Sequence, residues 1–324
     1  MKFILAIFWN PRQRRLRALW RLGLWAALMG VLAALSQVPL LGISLLASGD
    51  LSGLIADLSR SGAQMAGSML AFLRAILASV ALAGRFLDRR PFRDFGFHFS
   101  PRWWADFGFG LALGAGLMGF IFLIELAAGW VQVTGFFAEG GASFLGSLAA
   151  PLVLYICVGI QEEITTRGYL LRNLAEGLGG LRLAPRAALF IAYAASSILF
   201  GFLHAANPNA SLISTANLML AGLFLGLPFL LTGDLAISIG LHMTWNFFQG
   251  NVFGFPVSGT FSGPTFLAIQ QGGPLWATGG AFGPEAGALG LLAMALGSLL
   301  VVAWLRRRGP VRWQERLAIY RNDE

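Results

Sequence analysis

Polar side chains recur at helical spacing in three apolar stretches of the chain. The stretches read Glu162-Glu163-Ile164-Thr165-Thr166-Arg167, then Phe200-Gly201-Phe202-Leu203-His204, then His242-Met243-Thr244-Trp245-Asn246. An ionisable side chain inside a membrane helix costs a few kcal/mol on insertion scales, so it marks a function by default. Together, carboxylate, imidazole and amide groups supply a general base, ligands for a water molecule, and hydrogen-bond donors for a developing negative charge.

Helix geometry gives the two adjacent glutamates different environments. Glu163 and Arg167 are four residues apart with the acid nearer the N-terminus, so they share one helix face as an ion pair. Glu162 points about 100° away around the helix and is left without a local partner. We therefore predict that the Glu163–Arg167 pair is structural and that Glu162 is free to act. The simpler alternative is that these three residues only satisfy one another inside a helix bundle.

The three polar stretches can converge at one depth. Antiparallel packing of the first two helices sets Glu162 opposite Phe200, and His204 lies one turn, roughly 6 Å, further along the axis. His242 lies roughly 12 Å from the turn at 232–234, which is not far from mid-membrane. The predicted catalytic residues are Glu162, His204, His242 and Asn246, and the predicted supporting residues are Glu163, Arg167 and Phe200.

The elements that must position these residues are membrane helices. Of the 324 residues, 56% are hydrophobic and 12% are charged, whereas a soluble domain has about 25% charged residues. Mean hydropathy is +0.70. The sequence therefore predicts an all-α, polytopic membrane bundle that forms a single domain over residues 1–324, with a motif-bearing core at about 145–251. Eight spans are predicted, at about 20–45, 63–85, 104–128, 145–165, 186–205, 211–231, 235–251 and 284–305.

Arginines indicate the orientation of these spans. The net charge of +8 comes from arginines clustered before span one, between spans two and three, between spans four and five, and after span eight. Segments 46–62, 129–142 and 251–283 hold a single arginine, Arg60, and no lysine. This alternation predicts that both termini are cytoplasmic. The predicted protein is integral to a prokaryotic plasma membrane, with the lipid bilayer and not a nucleic acid as its partner.

In the three polar stretches the chain resembles the CPBP family of intramembrane proteases, which includes CAAX prenyl endopeptidases and bacteriocin-processing or bacteriocin-immunity proteins. The family pattern is Glu-Glu-x-x-x-Arg, then Phe-x-x-x-His, then His-x-x-x-Asn, on three helices in that order. The resemblance covers about 150–250. One departure is Thr166, which stands where the family commonly has Phe; because that position is not chemical, the departure concerns local packing or the substrate path.

The resemblance implies hydrolysis of a peptide bond in a membrane-embedded or lipidated peptide or protein. In chemical terms, Glu162 would activate a water molecule as general base, and His204 would bind and orient that water. His242 and Asn246 would donate hydrogen bonds to the developing oxyanion. Glu163 and Arg167 would hold the helix and tune the local field.

The sequence leaves two cofactor states open. The family has been described as metal-dependent, and His204, His242 and Glu162 suit a single zinc ion with an open position. However, the sequence has no His-Glu-x-x-His motif, and an asparagine such as Asn246 is not a typical zinc ligand. The expectation leans slightly towards a metal-free glutamate mechanism, with a metalloprotease as the alternative.

Two functions of other classes also stay open. Buried Glu, Arg and His serve as proton relays and gates in ion-coupled transporters, although carriers often show two related halves with broken helices. Here all the buried chemistry lies in spans four to seven. The other possibility is a catalytically silent family member that acts as a membrane scaffold or immunity factor.

Three further predictions concern residues outside the motifs. The glycine-rich segment 251–283 is expected to be a flexible linker, with an outer cap or lid as the alternative. His98 is expected to be a surface histidine rather than a ligand. Arg74 and Glu125 lie at different depths in the predicted topology, so they are not expected to pair.

Overall fold

The apolar stretches form a helical bundle in the computed structural model. The structure describes residues 7–11, 13–48, 62–138, 144–181, 183–261 and 263–320. Within these residues, seven helices are long and apolar enough to cross a membrane, which confirms the predicted fold class. Arg12, Arg60 and Arg182, which belong to the predicted charge pattern, lie outside the described residues. The helices are α1 Ala18–Ser48, α2 Gly62–Ala83, α3 Pro101–Ala127, α4 Phe144–Gly179, α5 Pro185–Leu203, α6 Leu212–Thr232, α7 Ala236–Phe247 and α8 Ala288–Arg306. Turns of π-helix continue α2 at Gly84–Asp88, interrupt α4 at Ile164–Leu171 and continue α7 at Phe248–Val252.

The expected span at 235–251 is shorter than the other seven. Helix α7 has 12 residues and continues into a π-helical turn of five, a length of roughly 25 Å. The hydrocarbon core of a bilayer is about 30 Å thick. Every residue of the first two turns, 236–243, is buried. Helix α7 therefore lies where the eighth span was predicted, but it is not among the seven long apolar helices of the described residues, because its neighbours enclose it and it does not need a full apolar surface of its own.

Two small antiparallel sheets accompany the helices. Strand β1 (Trp9–Asn10) pairs with β2 (Arg15–Leu16), and β3 (Val131–Ala138) pairs with β4 (Thr265–Gln271). The expectation of a flexible linker at 251–283 was wrong for the described residues. This segment contains β4, the short helix Leu275–Thr278 and the 3₁₀ turn Gly280–Phe282. We call residues 253–261 and 263–286 the cap.

Helix α7 packs against α3 with almost no side chain between the two backbones. A Cβ atom on Gly114 would lie 2.3 Å from Thr244 Oγ1 and 2.4 Å from the Leu241 carbonyl oxygen. A Cβ atom on Gly240 would lie 2.5 Å from the Phe107 carbonyl oxygen. Small residues allow membrane helices to approach this closely. The glycines therefore set the position of α7 and of the polar residues that it carries.

Helix α4 continues beyond its apolar part to residue 179, as the predicted convergence of the motifs requires. Its Glu176 is 2% exposed and lies among four arginines. Glu176 contacts Arg15 at 2.7 Å, Arg172 at 3.4 Å and Arg21 at 3.7 Å, and it also pairs with Arg90. These arginines were predicted only as signals of membrane orientation. In the structure they also tie the N-terminal segment and the end of α2 to α4.

We predict that Gly114→Ala destabilises the protein, because the added methyl group would collide with α7. Overpacking of this kind costs about 1–3 kcal/mol, and thermal unfolding in detergent should show a lower apparent melting temperature. Gly116→Ala on the same helix is the matched control, since no atom lies within 4 Å of its Cβ position. Equal melting temperatures for the two variants would contradict the close crossing of α3 and α7.

Candidate active site

The two adjacent glutamates of α4 have different surroundings. Glu163 is fully buried, and its Oε1 atom accepts hydrogen bonds from Arg167 Nη1 at 3.0 Å and from His242 Nδ1 at 2.9 Å. The Glu162 side chain is 28% exposed, and its Oε2 atom has no hydrogen-bond partner. Glu163 is therefore paired, whereas Glu162 Oε2 is not. Glu163 also contacts His242, which helix spacing alone did not predict.

Arg167 joins three helices beside the two glutamates. Its Nη2 atom donates to the Gly222 carbonyl of α6 at 3.1 Å, and its Nη1 atom donates to Thr166 Oγ1 at 2.8 Å. Its guanidinium carbon lies 4.4 Å from the ring centroid of Phe200 on α5. Thr166 in turn donates its hydroxyl to the Glu162 carbonyl. The residue that departs from the family pattern therefore supports the helix turn that presents the glutamates.

Both motif histidines direct their Nε2 atoms towards Glu162. His204 directly follows α5, and its Nδ1 atom lies 2.8 Å from the Phe200 carbonyl oxygen. A carbonyl only accepts, so Nδ1 carries the proton. The contact between His242 Nδ1 and the Glu163 carboxylate fixes the same tautomer. Each Nε2 atom lies 3.9 Å from Glu162 Oε2. That separation is too long for a direct hydrogen bond and short enough for one bridging water molecule.

Glu162, His204 and His242 line one cavity of about 210 Å³, which is large enough to hold water. Asn246, one helical turn after His242, lines the same cavity. The four residues predicted to be catalytic therefore share one space. Much of the remaining wall is apolar and comes from α4, α6 and α8; it includes Leu154, Val158, Leu218, Phe224, Leu225 and Met294.

The cavity also has polar residues that the sequence did not single out. Asn207 lies just beyond α5, and the cap contributes Ser258, Thr260 and Glu285. Burial raises the pKa of the Glu285 carboxyl above its ordinary value, and hydrogen bonds, including those from Ser258 and Gln249, oppose that rise. The sequence signal for Glu285 was its position as a single acidic residue in an apolar, glycine-rich stretch, without a partner at helical spacing.

The other predicted residues lie away from the cavity. The His98 side chain is 42% exposed and contacts Asp234, so it is a surface histidine, as expected. Arg74 is exposed on α2, whereas Glu125 is fully buried and accepts a hydrogen bond from Gln271 of β4 at 2.8 Å. Arg74 and Glu125 are therefore not partners, which agrees with the predicted difference in depth.

Glu162, His204 and His242 are the side chains that the sequence offers as zinc ligands. Among the residues that the structure describes, no group of three His, Cys, Asp or Glu side chains is arranged to hold a metal ion. Glu162, His204 and His242 therefore do not form a three-ligand zinc site in the described residues.

The motif segment is similar to a known family of membrane proteins. Residues 144–248 match the family model described as "Type II CAAX prenyl endopeptidase Rce1-like", and this range includes all seven motif side chains. The predicted resemblance is therefore confirmed over this part of the chain. The matched segment lies among seven helices of the described residues that are long and apolar enough to cross a membrane, as in a multi-pass membrane protein.

The chain is also similar to a curated bacterial protein. The chain is 29% identical over 206 residues to the uncharacterized protein YyaK of Bacillus subtilis (strain 168). The matched region is 62% of this chain and 65% of YyaK, so the chain spans slightly less than two thirds of that protein. No solved structure matches the chain significantly.

We predict that Glu163→Ala and Glu162→Ala affect stability very differently. Removing Glu163 leaves Arg167 buried without its carboxylate, which costs about 3–5 kcal/mol. Glu162 is partly exposed and has an unpaired oxygen, so its removal should change stability by less than about 0.5 kcal/mol. Thermal unfolding of the two purified variants checks this. Similar losses of apparent melting temperature would contradict the assignment of a structural and a free glutamate.

Proposed function

We propose that this protein is an intramembrane endopeptidase of a prokaryotic plasma membrane that uses Glu162 to activate a water molecule. One observation carries the proposal. An unpaired carboxylate oxygen of Glu162 faces the Nε2 atoms of His204 and His242, at 3.9 Å from each, inside a largely apolar cavity. The family match over residues 144–248 supports the same activity.

The first step is activation of water. In the tautomers fixed by Phe200 and Glu163, both histidines offer an Nε2 lone pair to the cavity. A water molecule between these atoms would donate one hydrogen to Glu162 and the other to an imidazole, with a lone pair left for the substrate carbonyl. Glu162 takes the proton as the water attacks, and it then returns that proton to the leaving amine.

The second requirement is stabilisation of the oxyanion. The side-chain amide of Asn246 always carries N–H donors because it does not titrate. It is therefore the residue best suited to donate hydrogen bonds to the oxyanion. His242 already donates from Nδ1 to Glu163, so it donates to an oxyanion from Nε2 only when both ring nitrogens carry protons. This tautomer makes Asn246 the principal donor, with His242 as a conditional second.

The substrate is proposed to be a membrane-embedded or lipidated peptide or protein. The cavity combines a polar side formed by the motif residues with apolar walls from α4, α6 and α8. Such walls favour apolar groups flanking the scissile bond, because these groups lose their contact with water on binding.

Glu162→Gln should abolish cleavage while leaving the protein level and melting temperature unchanged. A glutamine cannot accept a proton from water, and loss of a general base slows a reaction by about 10²–10⁴-fold. We would incubate each purified protein in proteoliposomes with a pool of synthetic transmembrane and lipidated peptides, and identify new termini by mass spectrometry. Glu125→Gln, a buried acid outside the cavity, is the control and should cleave normally.

The other outcomes decide between the alternatives. A cellular phenotype that survives Glu162→Gln would favour a membrane scaffold or immunity factor, and loss of solute uptake instead of cleavage would favour a transporter. Addition of 1,10-phenanthroline to the wild-type reaction tests the metal question. Cleavage should continue under the glutamate mechanism, whereas inhibition that zinc reverses would establish a metalloprotease.

A further inference from the structure

Glu285 makes three hydrogen bonds that connect separate parts of the cavity wall. Its Oε1 atom accepts from the backbone N–H of Ser258 and from the Ser258 hydroxyl, the latter at 3.0 Å, and its Oε2 atom accepts from the Gln249 side-chain amide. In these three contacts both carboxyl oxygens of Glu285 act as acceptors. Glu285 itself is 4% exposed and lines the cavity.

The partners of Glu285 lead directly to catalytic positions. Gln249 lies three residues after Asn246 on the continuation of α7. The Ser258 carbonyl accepts a hydrogen bond from the Asn207 side chain at 3.0 Å, and the Asn207 backbone N–H donates to the His204 carbonyl at 3.1 Å. One side chain in the cap is therefore linked to both the turn that carries His204 and the helix that carries Asn246.

The cap is fitted tightly at this point. A Cβ atom on Gly259 would lie 1.8 Å from the Pro208 carbonyl oxygen, so the cap backbone rests directly on the loop that follows His204. A Cβ atom on Gly283 would lie 2.7 Å from Glu285 Oε2 and 2.8 Å from Gln249 Nε2.

We propose that Glu285 is a positioning residue that holds the cap over the cavity and fixes the His204 turn relative to the helix that bears Asn246. The proposal deepens the proposed peptidase function and rests on it for its consequence. The cap forms one wall of the cavity, and the links from Glu285 keep the histidine that orients the water at a constant separation from the asparagine that binds the oxyanion. Groups held in this way need no reorganisation when the substrate binds.

The experiment follows the cap in the full-length protein in detergent by hydrogen–deuterium exchange. In Glu285→Ala the Ser258 amide loses its side-chain acceptor, so its exchange should accelerate about tenfold or more. Glu285→Gln keeps a carbonyl oxygen for Ser258, so the acceleration should be less than about threefold. Glu125→Gln breaks a comparable buried acid–glutamine contact between α3 and β4 and should leave the Ser258 amide at the wild-type rate.

A second readout follows the catalytic turn. The chain has three histidines, so diethyl pyrocarbonate modification can be measured at His204 with exposed His98 as the internal reference. We expect the ratio of the two modification rates to rise about threefold or more in Glu285→Ala, and to stay at the wild-type value in Glu125→Gln.

A glycine pair keeps the test decisive if Glu285→Ala fails to fold. Gly283→Ala inserts a methyl group between Glu285 and Gln249, and Gly263→Ala is its control, because Gly263 also has a positive φ of +85° but no atom within 4 Å of its Cβ position. Faster exchange in Gly283→Ala alone supports the proposal. Exchange at Ser258 and modification at His204 that match the controls would overturn it. Neither readout requires cleavage, so a failure of the proposed peptidase activity would be seen separately.

Discussion

The Glu163 carboxylate, buried between Arg167 and His242, is the interaction on which the candidate site depends. A charge removed from water costs several kcal/mol unless it is paired and hydrogen-bonded, so this carboxylate constrains the helices that surround it. It holds Arg167, which reaches α6 and the ring of Phe200 on α5, and it holds His242 on α7. Because Glu163 occupies the Nδ1 side of His242, the Nε2 atom is left for the cavity. The neighbouring Glu162 points away from Glu163 around the helix. It faces the two imidazoles but forms a direct hydrogen bond with neither.

This arrangement requires α7 to lie close to its neighbours. Glycines at the crossing of α3 and α7 bring the two backbones together, and on the α4 side a Cβ atom on Gly159 would lie 2.8 Å from Met243 Cγ. A short helix inside the bundle can meet these conditions because the surrounding helices, and not lipid, cover it. The cap then contributes a further wall of the cavity, which includes Glu285. Close backbone packing, a buried ion pair and a hydrogen-bonded cap thus each fix one wall of the same space.

The sequence predicted the elements whose signals are local. Long apolar runs located seven helices, the four-residue spacing separated Glu163 from Glu162, and antiparallel packing brought His204 to the correct depth. The contact of His242 with Glu163 was not predicted. The depth of His242 along α7 could be counted from the preceding turn, but the rotation of α7 about its axis depends on how the helix packs against α3. The β3–β4 pairing was missed because the two strands lie far apart in the chain. Glu285 was missed for the same reason, since its partners Ser258 and Gln249 come from other segments and leave no periodic pattern.

The central claim is that a water molecule, activated by Glu162, attacks the substrate directly. The most direct test is a single-turnover cleavage in H₂¹⁸O, quenched in acid, with mass spectrometry of both the products and the intact enzyme. The account predicts one labelled oxygen in the new C-terminal carboxylate of the product, an enzyme of unchanged mass, and no label in the peptide that contains Glu162. A covalent acyl-enzyme, or labelled oxygen in Glu162, would show that a protein side chain attacks first and would contradict the account.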